Sequence, residues 1–128
     1  MVDFIRSRLR SFKHAFAGWW FVIRTQRNAW IHAVVSVGAF VLGLWLRLPP
    51  RDWAMIVFAA ALVWTAEFVN TALEAVVDLH SPGNHPLAKV GKDVGAAAVL
   101  IAALAALLIG LLVLGPPMAE KIRPIFGF

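Results

Sequence analysis

Residues 66–78 read AEFVNTALEAVVD, and this stretch decides how the fold is interpreted. An α-helix turns by about 100° per residue, so polar residues spaced three and four apart fall within a sector of about 80°. We name this set the polar stripe, and its members are Glu67, Asn70, Glu74 and Asp78. The other positions are mostly alanine, valine, leucine and phenylalanine, which suit lipid or a packed helix. The stretch therefore predicts a membrane-spanning helix with one polar face, the candidate site.

The composition of the whole chain agrees with a membrane protein. It has 128 residues, which fits one domain, and 61% of them are hydrophobic, more than in ordinary soluble domains. The chain has no cysteine, which excludes disulfides and thiolate metal sites. Its net charge is +5, but nucleic-acid binding is a poor explanation because most of the chain is apolar enough to fill a bilayer.

Hydrophobic periodicity predicts one surface helix and three spans. Residues 5–24 combine an apolar stripe with cationic flanks, which is typical of an amphipathic helix in the membrane interface; packing on a soluble partner is the alternative. Residues 29–48, 53–77 and 94–114 are each long enough to cross a hydrocarbon core of roughly 30 Å. Prolines at positions 49–50 and 116–117 are expected to end the first and third spans, and residues 118–128 are assigned no structure.

The second span is long enough to project beyond the hydrocarbon. We therefore expect Asp78 in the interface or the water, Glu74 near the boundary and Glu67 deeper. A polar loop follows, and Pro86 is tolerated where the next helix begins. Gly95, with its neighbouring small residues, is expected to let the third span approach another helix closely.

The distribution of lysine and arginine predicts the orientation. Eight of these residues lie in the N-terminal region and the loop after the second span, and four lie in the Pro-Pro turn and the tail. Three spans place the first two regions on one side, so the bias favours a cytoplasmic N-terminus. The exposed end of the polar stripe then shares the cytoplasmic side.

Carboxylates at a membrane edge beside lysines admit three roles. They can bind Mg²⁺ together with phosphates, relay protons in a small transporter, or pair structurally with lysines and neighbouring helices. The residue types leave all three open, although Lys92 and Asp93 at the mouth of the third span favour phosphate chemistry. The sequence has no P-loop or kinase-type glycine-rich signature, so a nucleotide site here would be unrelated to those folds.

Three motifs carry a resemblance to a known family. They are E-x-x-N-T-A-x-E-x-x-V-D at residues 67–78, H-P-L-A-K-x-x-K-D at 85–93 and G-A-A-A-V-L at 95–100. Together they resemble the prokaryotic diacylglycerol kinase family, and the resemblance extends through R-x-x-R-N-x-x-I-H at 24–32 to cover nearly all of residues 5–115. The segments TQRN and SPGNHPLAK and the Pro-Pro boundary look more like the undecaprenol kinase branch.

The resemblance implies an all-α membrane protein that forms a homotrimer with shared active sites. It implies a place in the bacterial cytoplasmic (inner) membrane, with the N-terminus and the site facing the cytoplasm. The implied activity is phosphorylation of a membrane lipid alcohol, undecaprenol or diacylglycerol, with ATP as co-substrate and Mg²⁺ as cofactor. Glu67 would be the catalytic base and Glu74 a metal ligand. The residues implied at the nucleotide are His14, Asn70, Asp78, Gly83, Asn84, His85, Lys92 and Asp93.

Several of these roles have a plainer alternative. His14 would then be a solvated surface residue, His85 a cap of the loop, and Asp78 a carboxylate that simply faces water. Gln26 departs from the family pattern, because many members carry a metal-binding glutamate there. A glutamine oxygen can still ligate Mg²⁺, but the lost negative charge is expected to weaken metal binding.

Two other functions therefore stand beside the kinase. One is a small proton-coupled transporter with Glu67 as the proton carrier, and the other is a catalytically inactive scaffold. Lys92→Ala separates the first from a kinase, since a transporter predicts largely intact function and a kinase predicts near-complete loss.

Overall fold

The computed structural model of the protein describes residues 1–81, 83 and 85–126, and this part of the chain is helical with no strand. Four helices follow one another: α1 (Val2–Thr25), α2 (Arg27–Leu46), α3 (Pro50–His80) and α4 (Pro86–Phe126). Helices α2, α3 and α4 are long and apolar enough to cross a membrane. The prediction of an all-helical protein with three spans is confirmed at this level.

A tight turn joins α2 to α3. Arg47 ends α2 in the left-handed conformation, with φ 57° and ψ 50°. Its N–H donates to the Leu44 carbonyl at 3.2 Å, and the Leu48 N–H donates to the Gly43 carbonyl at 3.1 Å, which together form a Schellman motif. Pro50 then begins α3, where its missing N–H removes no helical hydrogen bond. The predicted break at the first proline pair is therefore present.

The predicted end of the third span was wrong, because α4 continues through Pro116 and Pro117 to Phe126. Residues 118–126, for which no structure was predicted, belong to this helix. Pro116 and Pro117 each remove a main-chain hydrogen-bond donor inside the helix, and a proline at such a position typically costs about 3 kcal/mol of stability. A tertiary contact lies on the far side of them. Lys121 Nζ donates to the Trp45 carbonyl at 2.5 Å and lies 4.5 Å from the centre of the Trp45 ring, so the end of α4 is held against the end of α2.

Helix α3 is the central element of the chain. It packs along α4 and also contacts α1 and α2. The end of α1 and the start of α2 meet it through a small core of Val22, Ile23 and Ala29, against which Trp64 and Phe68 pack. Many large apolar side chains elsewhere are exposed in the single chain, as expected for surfaces that meet lipid or other subunits. The packing therefore buries the middle of α3, where Glu67 lies.

Candidate functional site

The polar stripe passes from a buried to an exposed environment along α3. Glu67 is 2% exposed and Asn70 is 8% exposed, whereas Glu74 is half-buried and Asp78 is exposed. Burial within the protein thus decreases along the stripe, whereas its predicted depth in the membrane stays a prediction. The stripe thus joins a dry interior at Glu67 to an accessible end one helical turn beyond Glu74.

The deepest part of the site contains a second ionisable group, His32 of α2. Its Nε2 atom lies 3.6 Å from Glu67 Oε2, just beyond hydrogen-bond distance. Both atoms are buried, and neither has a hydrogen-bond partner among the described residues. The Glu67 main-chain carbonyl, by contrast, accepts a hydrogen bond of 2.9 Å from Thr71 Oγ1. Buried polar atoms are almost always paired, so this unpaired couple marks a place where another group belongs.

An aromatic side chain fixes the surroundings of this couple. Trp64 of α3 donates from Nε1 to Ser36 Oγ of α2 at 3.2 Å. Its ring lies edge-on to the His32 ring, with 6.4 Å between the two ring centres. The Trp64 ring also packs against the rings of Trp19 in α1 and Phe68, with 5.9 Å and 5.8 Å between the ring centres. Trp64 therefore joins three helices beside Glu67. Neither Trp64 nor His32 was among the predicted site residues, although a histidine near the start of an apolar span is a visible signal.

The middle of the polar stripe forms one internal hydrogen bond. Asn70 Nδ2 donates to Glu74 Oε1 at 3.2 Å, which is the helical spacing of four residues. The other end of the Asn70 side chain, Oδ1, is buried against Gly95 of α4 and has no hydrogen-bond partner among the described residues. The predicted close approach of α4 at Gly95 is confirmed. This contact fixes the Asn70 amide and thereby the Glu74 carboxylate.

Two ion pairs occupy the exposed end of the site. Lys92 Nζ lies 2.5 Å from Asp78 Oδ1 and joins α4 to α3, whereas Lys89 Nζ lies 2.9 Å from Asp93 Oδ2 within α4. The structure therefore brings Asp78 and Lys92 together. It places Asp93 beside Lys89 instead of beside Lys92.

The loop before α4 presents a capping interaction. His85 immediately precedes the helix, its Nδ1 accepts a hydrogen bond of 3.2 Å from the Leu87 N–H, and its own N–H donates to the Gly83 carbonyl at 3.0 Å. The capping alternative for His85 thus has a direct contact in the described chain. Asn84, predicted to lie near a nucleotide, falls outside the described residues.

Two predicted site residues lie on the N-terminal part of the chain. His14 is exposed on α1, and Gln26 is half-buried at the corner between α1 and α2. Within the described residues, neither side chain forms a hydrogen bond or ion pair with the polar stripe. Their predicted roles at a metal ion and a nucleotide therefore stay predictions.

Glu74 is the carboxylate of the polar stripe best placed to bind Mg²⁺ together with phosphate oxygens. In the described ranges, no group of three or more histidine and carboxylate side chains is placed to hold a metal ion. Glu74 offers a half-buried carboxylate that Asn70 orients. Mg²⁺ commonly binds one or two carboxylates and completes its shell with waters and substrate phosphates, so Glu74 fits an ion that arrives with a nucleotide.

Comparisons with known proteins agree with this chemistry. The model of the family described as prokaryotic diacylglycerol kinase matches residues 13–114. The chain is 37% identical over 109 residues to the undecaprenol kinase of Bacillus subtilis, covering 85% of this chain and 89% of that protein. It is 41% identical over 111 residues to the diacylglycerol kinase of Synechocystis, covering 86% of this chain but 63% of that longer protein.

A third relative is the diacylglycerol kinase of Escherichia coli, which is 35% identical over 89 residues, covering 64% of this chain and 73% of that protein. The family match includes His32, the whole polar stripe, Lys89 and Lys92, and it ends before the part of α4 that contains Lys121. Because the family model matches most of the chain and the Bacillus subtilis relative is 37% identical over 85% of it, the chain belongs to the prokaryotic diacylglycerol kinase family of lipid kinases.

Proposed function

We propose that this protein transfers the γ-phosphoryl group of ATP, with Mg²⁺, to the hydroxyl group of a membrane lipid alcohol, either undecaprenol or diacylglycerol. The observation that supports this best is the state of Glu67. Its carboxylate is 2% exposed, and its Oε2 atom has no hydrogen-bond partner among the described residues. A general base needs such a free oxygen within reach of the hydroxyl proton.

Glu67 acts as that base. The lipid hydroxyl oxygen attacks the γ-phosphorus, the bond from phosphorus to the oxygen bridging to the β-phosphate breaks, and the hydroxyl proton moves to Glu67. The phosphate ester and ADP are the products. Because apolar helices surround the carboxylate, water is kept away from the transferring phosphoryl group, which limits wasteful hydrolysis.

The remaining site residues bind and orient. Glu74 holds Mg²⁺, Asn70 keeps that carboxylate in place, and Gln26 contributes a neutral oxygen donor. When bound, Mg²⁺ supplies positive charge that neutralises the phosphate oxygens. The residues proposed at the nucleotide are His14, Asn70, Asp78, Gly83, Asn84, His85, Lys92 and Asp93. In this scheme Lys92 turns from Asp78 to a phosphate, a small movement for an exposed lysine.

Two apolar clefts next to Glu67 can accept the lipid chain. The first cleft, of about 720 Å³, lies between α1 and α3 and includes Phe12, Phe16, Trp19, Phe68 and Thr71. The second cleft, of about 530 Å³, lies among α2, α3 and α4 and includes His32 and Ser36. Undecaprenol and diacylglycerol both present a primary alcohol on an apolar body, so both fit the same arrangement of base and cleft.

We also propose a homotrimer in the bacterial cytoplasmic membrane, with α1 in the interface and the N-terminus facing the cytoplasm. The exposed apolar residues of α1, such as Phe12, Phe16 and Trp20, support the interfacial position. The many large apolar side chains that the single chain leaves exposed on its spans support contacts with neighbouring subunits. The excess of lysine and arginine in the N-terminal region and the loop before α4 supports the orientation.

The decisive experiment is a phosphoryl-transfer assay in lipid–detergent micelles. Labelled ATP and Mg²⁺ are offered with undecaprenol and with diacylglycerol in parallel. Glu67→Gln should abolish transfer, whereas Glu120→Gln, an exposed acidic residue outside the family match, should retain it. The lipid that is phosphorylated faster identifies the substrate. A lack of transfer to both lipids by folded wild-type trimer would overturn the proposal.

A further inference from the structure

We propose that His32 is a positioning residue for Glu67 and receives the hydroxyl proton from it after phosphoryl transfer. The inference rests on the proposed kinase function and adds a second proton-handling group to it. His32 lies on α2, so it is not part of the polar stripe of α3. It is also not among the residues proposed at the nucleotide. Its role follows from where α2 places the imidazole.

The two side chains are isolated together inside the protein. His32 is 13% exposed and Glu67 is 2% exposed, and the gap between Nε2 and Oε2 is 3.6 Å. Leaving a buried polar atom unpaired is unfavourable, and here both facing atoms are unpaired within the described residues. A small shift would bring them into hydrogen-bond distance, and catalytic contacts often tighten in this way when substrate binds.

Few other charges face His32. Among the residues that line the second cleft, His32 is the one ionisable side chain in the described structure, and the linings from α3 and α4 there are apolar. From α3 the carboxylate that faces it is Glu67, and Glu74 lies two turns further along that helix. Glu67 is therefore the one group that the contacts offer as a proton donor to His32 Nε2.

Rigid elements hold the imidazole in this position. The Trp64 ring lies edge-on to His32, and its Nε1 donates to Ser36, one turn beyond His32 on the same helix. The hydrogen bond fixes the rotation of α2 relative to α3 at the level of Glu67. Sites supported in this way on helices keep their geometry better than sites on loops.

The proton balance gives His32 a distinct task. In the transfer step Glu67 gains the proton that the lipid oxygen loses as its bond to the γ-phosphorus forms. A neutral imidazole with a free Nε2 lone pair then accepts that proton, which restores the Glu67 carboxylate and leaves an imidazolium beside it. The imidazolium returns the proton to water before the next turnover. Loss of His32 should therefore slow turnover without weakening ATP binding.

The test uses the full chain in micelles with ATP, Mg²⁺ and the two lipid alcohols. His32→Gln keeps a hydrogen-bonding group beside Glu67 but cannot accept a proton, and His32→Ala leaves space for a small base. Both should lower kcat by about 10²-fold, the usual contribution of an acid–base group, with KM for ATP little changed. Added imidazole should raise the rate of His32→Ala several-fold and leave His32→Gln unaffected.

His80→Gln is the matched control, because this histidine is exposed at the end of α3 and, among the described residues, its ring has a hydrogen bond only with the Val76 carbonyl of its own helix. This variant should keep the wild-type kcat, and added imidazole should not change its rate. Wild-type kcat in both His32 variants, while Glu67→Gln is inactive, would overturn the role of His32 and leave the kinase standing. A loss that imidazole does not restore would show a merely structural role and overturn it too. An inactive wild-type protein would instead overturn the kinase function itself.

Discussion

Gly95 of α4 lies directly against the Asn70 side chain of α3, so that a β-carbon at Gly95 would overlap Asn70 Oδ1. The same β-carbon would lie 3.2 Å from Leu73 Cδ2. Asn70 in turn donates to Glu74, the proposed metal ligand. The two longest helices therefore approach each other closely at Asn70, and the absence of one methyl group permits the alignment of Glu74.

Gly95→Ala should consequently damage both stability and activity. Overpacking a tight contact typically costs 1–3 kcal/mol, that is, roughly several degrees in Tm for a chain of this size. The displaced Asn70 should also release Glu74, and KM for MgATP should rise. Thermal unfolding in detergent and phosphoryl-transfer kinetics measure the two effects.

Gly110→Ala is the control on the same helix, since nothing lies within 4 Å of a β-carbon there. Replacing an open helical glycine by alanine usually stabilises by about 0.5–1 kcal/mol, so this variant should unfold at the same or a higher temperature. Equal behaviour of the two variants would contradict the close contact at Asn70.

Glu67→Gln should separate stability from activity. A buried carboxylate without a partner is unfavourable, and an isosteric neutral amide removes that cost while keeping the packing. The variant should thus have at least the wild-type Tm, with a gain in the free energy of unfolding of up to the order of 1 kcal/mol. Phosphoryl transfer should fall by at least about 10²-fold. A Tm several degrees below wild type would show that the carboxylate has a structural partner.

Lys92→Ala tests the exposed ion pair. Lys92 and Asp78 are 39% and 62% exposed, and such pairs contribute at most about 1 kcal/mol, so Tm should hardly change. Phosphoryl transfer should nevertheless fall by two orders of magnitude or more, roughly the effect of removing one transition-state charge contact. An active Lys92→Ala enzyme would show that Lys92 does not bind the phosphate. Intact function is also what the alternative of a proton-coupled transporter predicts.

A charge swap gives the control for this pair. Lys92→Asp combined with Asp78→Lys rebuilds the ion pair between α3 and α4 with reversed direction. It should restore any lost stability but not phosphoryl transfer. Lys89→Ala removes an 80% exposed lysine that lies three residues before Lys92 in α4. It should lower phosphoryl transfer clearly less than Lys92→Ala does. Recovery of transfer in the swap would make the pair purely structural.

The polar stripe was predictable because it depends only on the spacing within one helix. Glu67, Asn70 and Glu74 recur at helical intervals in an apolar segment, and their burial within the protein decreases along the stripe. The approach of Gly95 was also predictable, since a glycine in an apolar helix signals close packing. Such local patterns carry over directly from the sequence to the fold.

Contacts between helices were not predictable in the same way. The pairing of His32 with Glu67 depends on the rotation of α2 against α3, which no periodicity within either helix determines. The continuation of α4 past Pro117 likewise accompanies a contact of Lys121 with Trp45, 76 residues away in sequence. The local rule that prolines end helices did not hold here, and the sequence of α4 alone does not show this contact.

Arg47→Gly should stabilise the fold, because Arg47 is the one non-glycine residue with positive φ in the described chain. A side chain in the left-handed region costs roughly 1 kcal/mol relative to glycine, and the Schellman motif formed by its N–H and that of Leu48 favours glycine at this position. Tm in detergent should rise by a few degrees, while transfer is unchanged because the turn lies at the far end of α3 from Asp78. Arg47→Ala removes the same charge but keeps the β-carbon, so it should give no such gain. Equal gains in both variants would trace the effect to the charge and contradict the strain at Arg47.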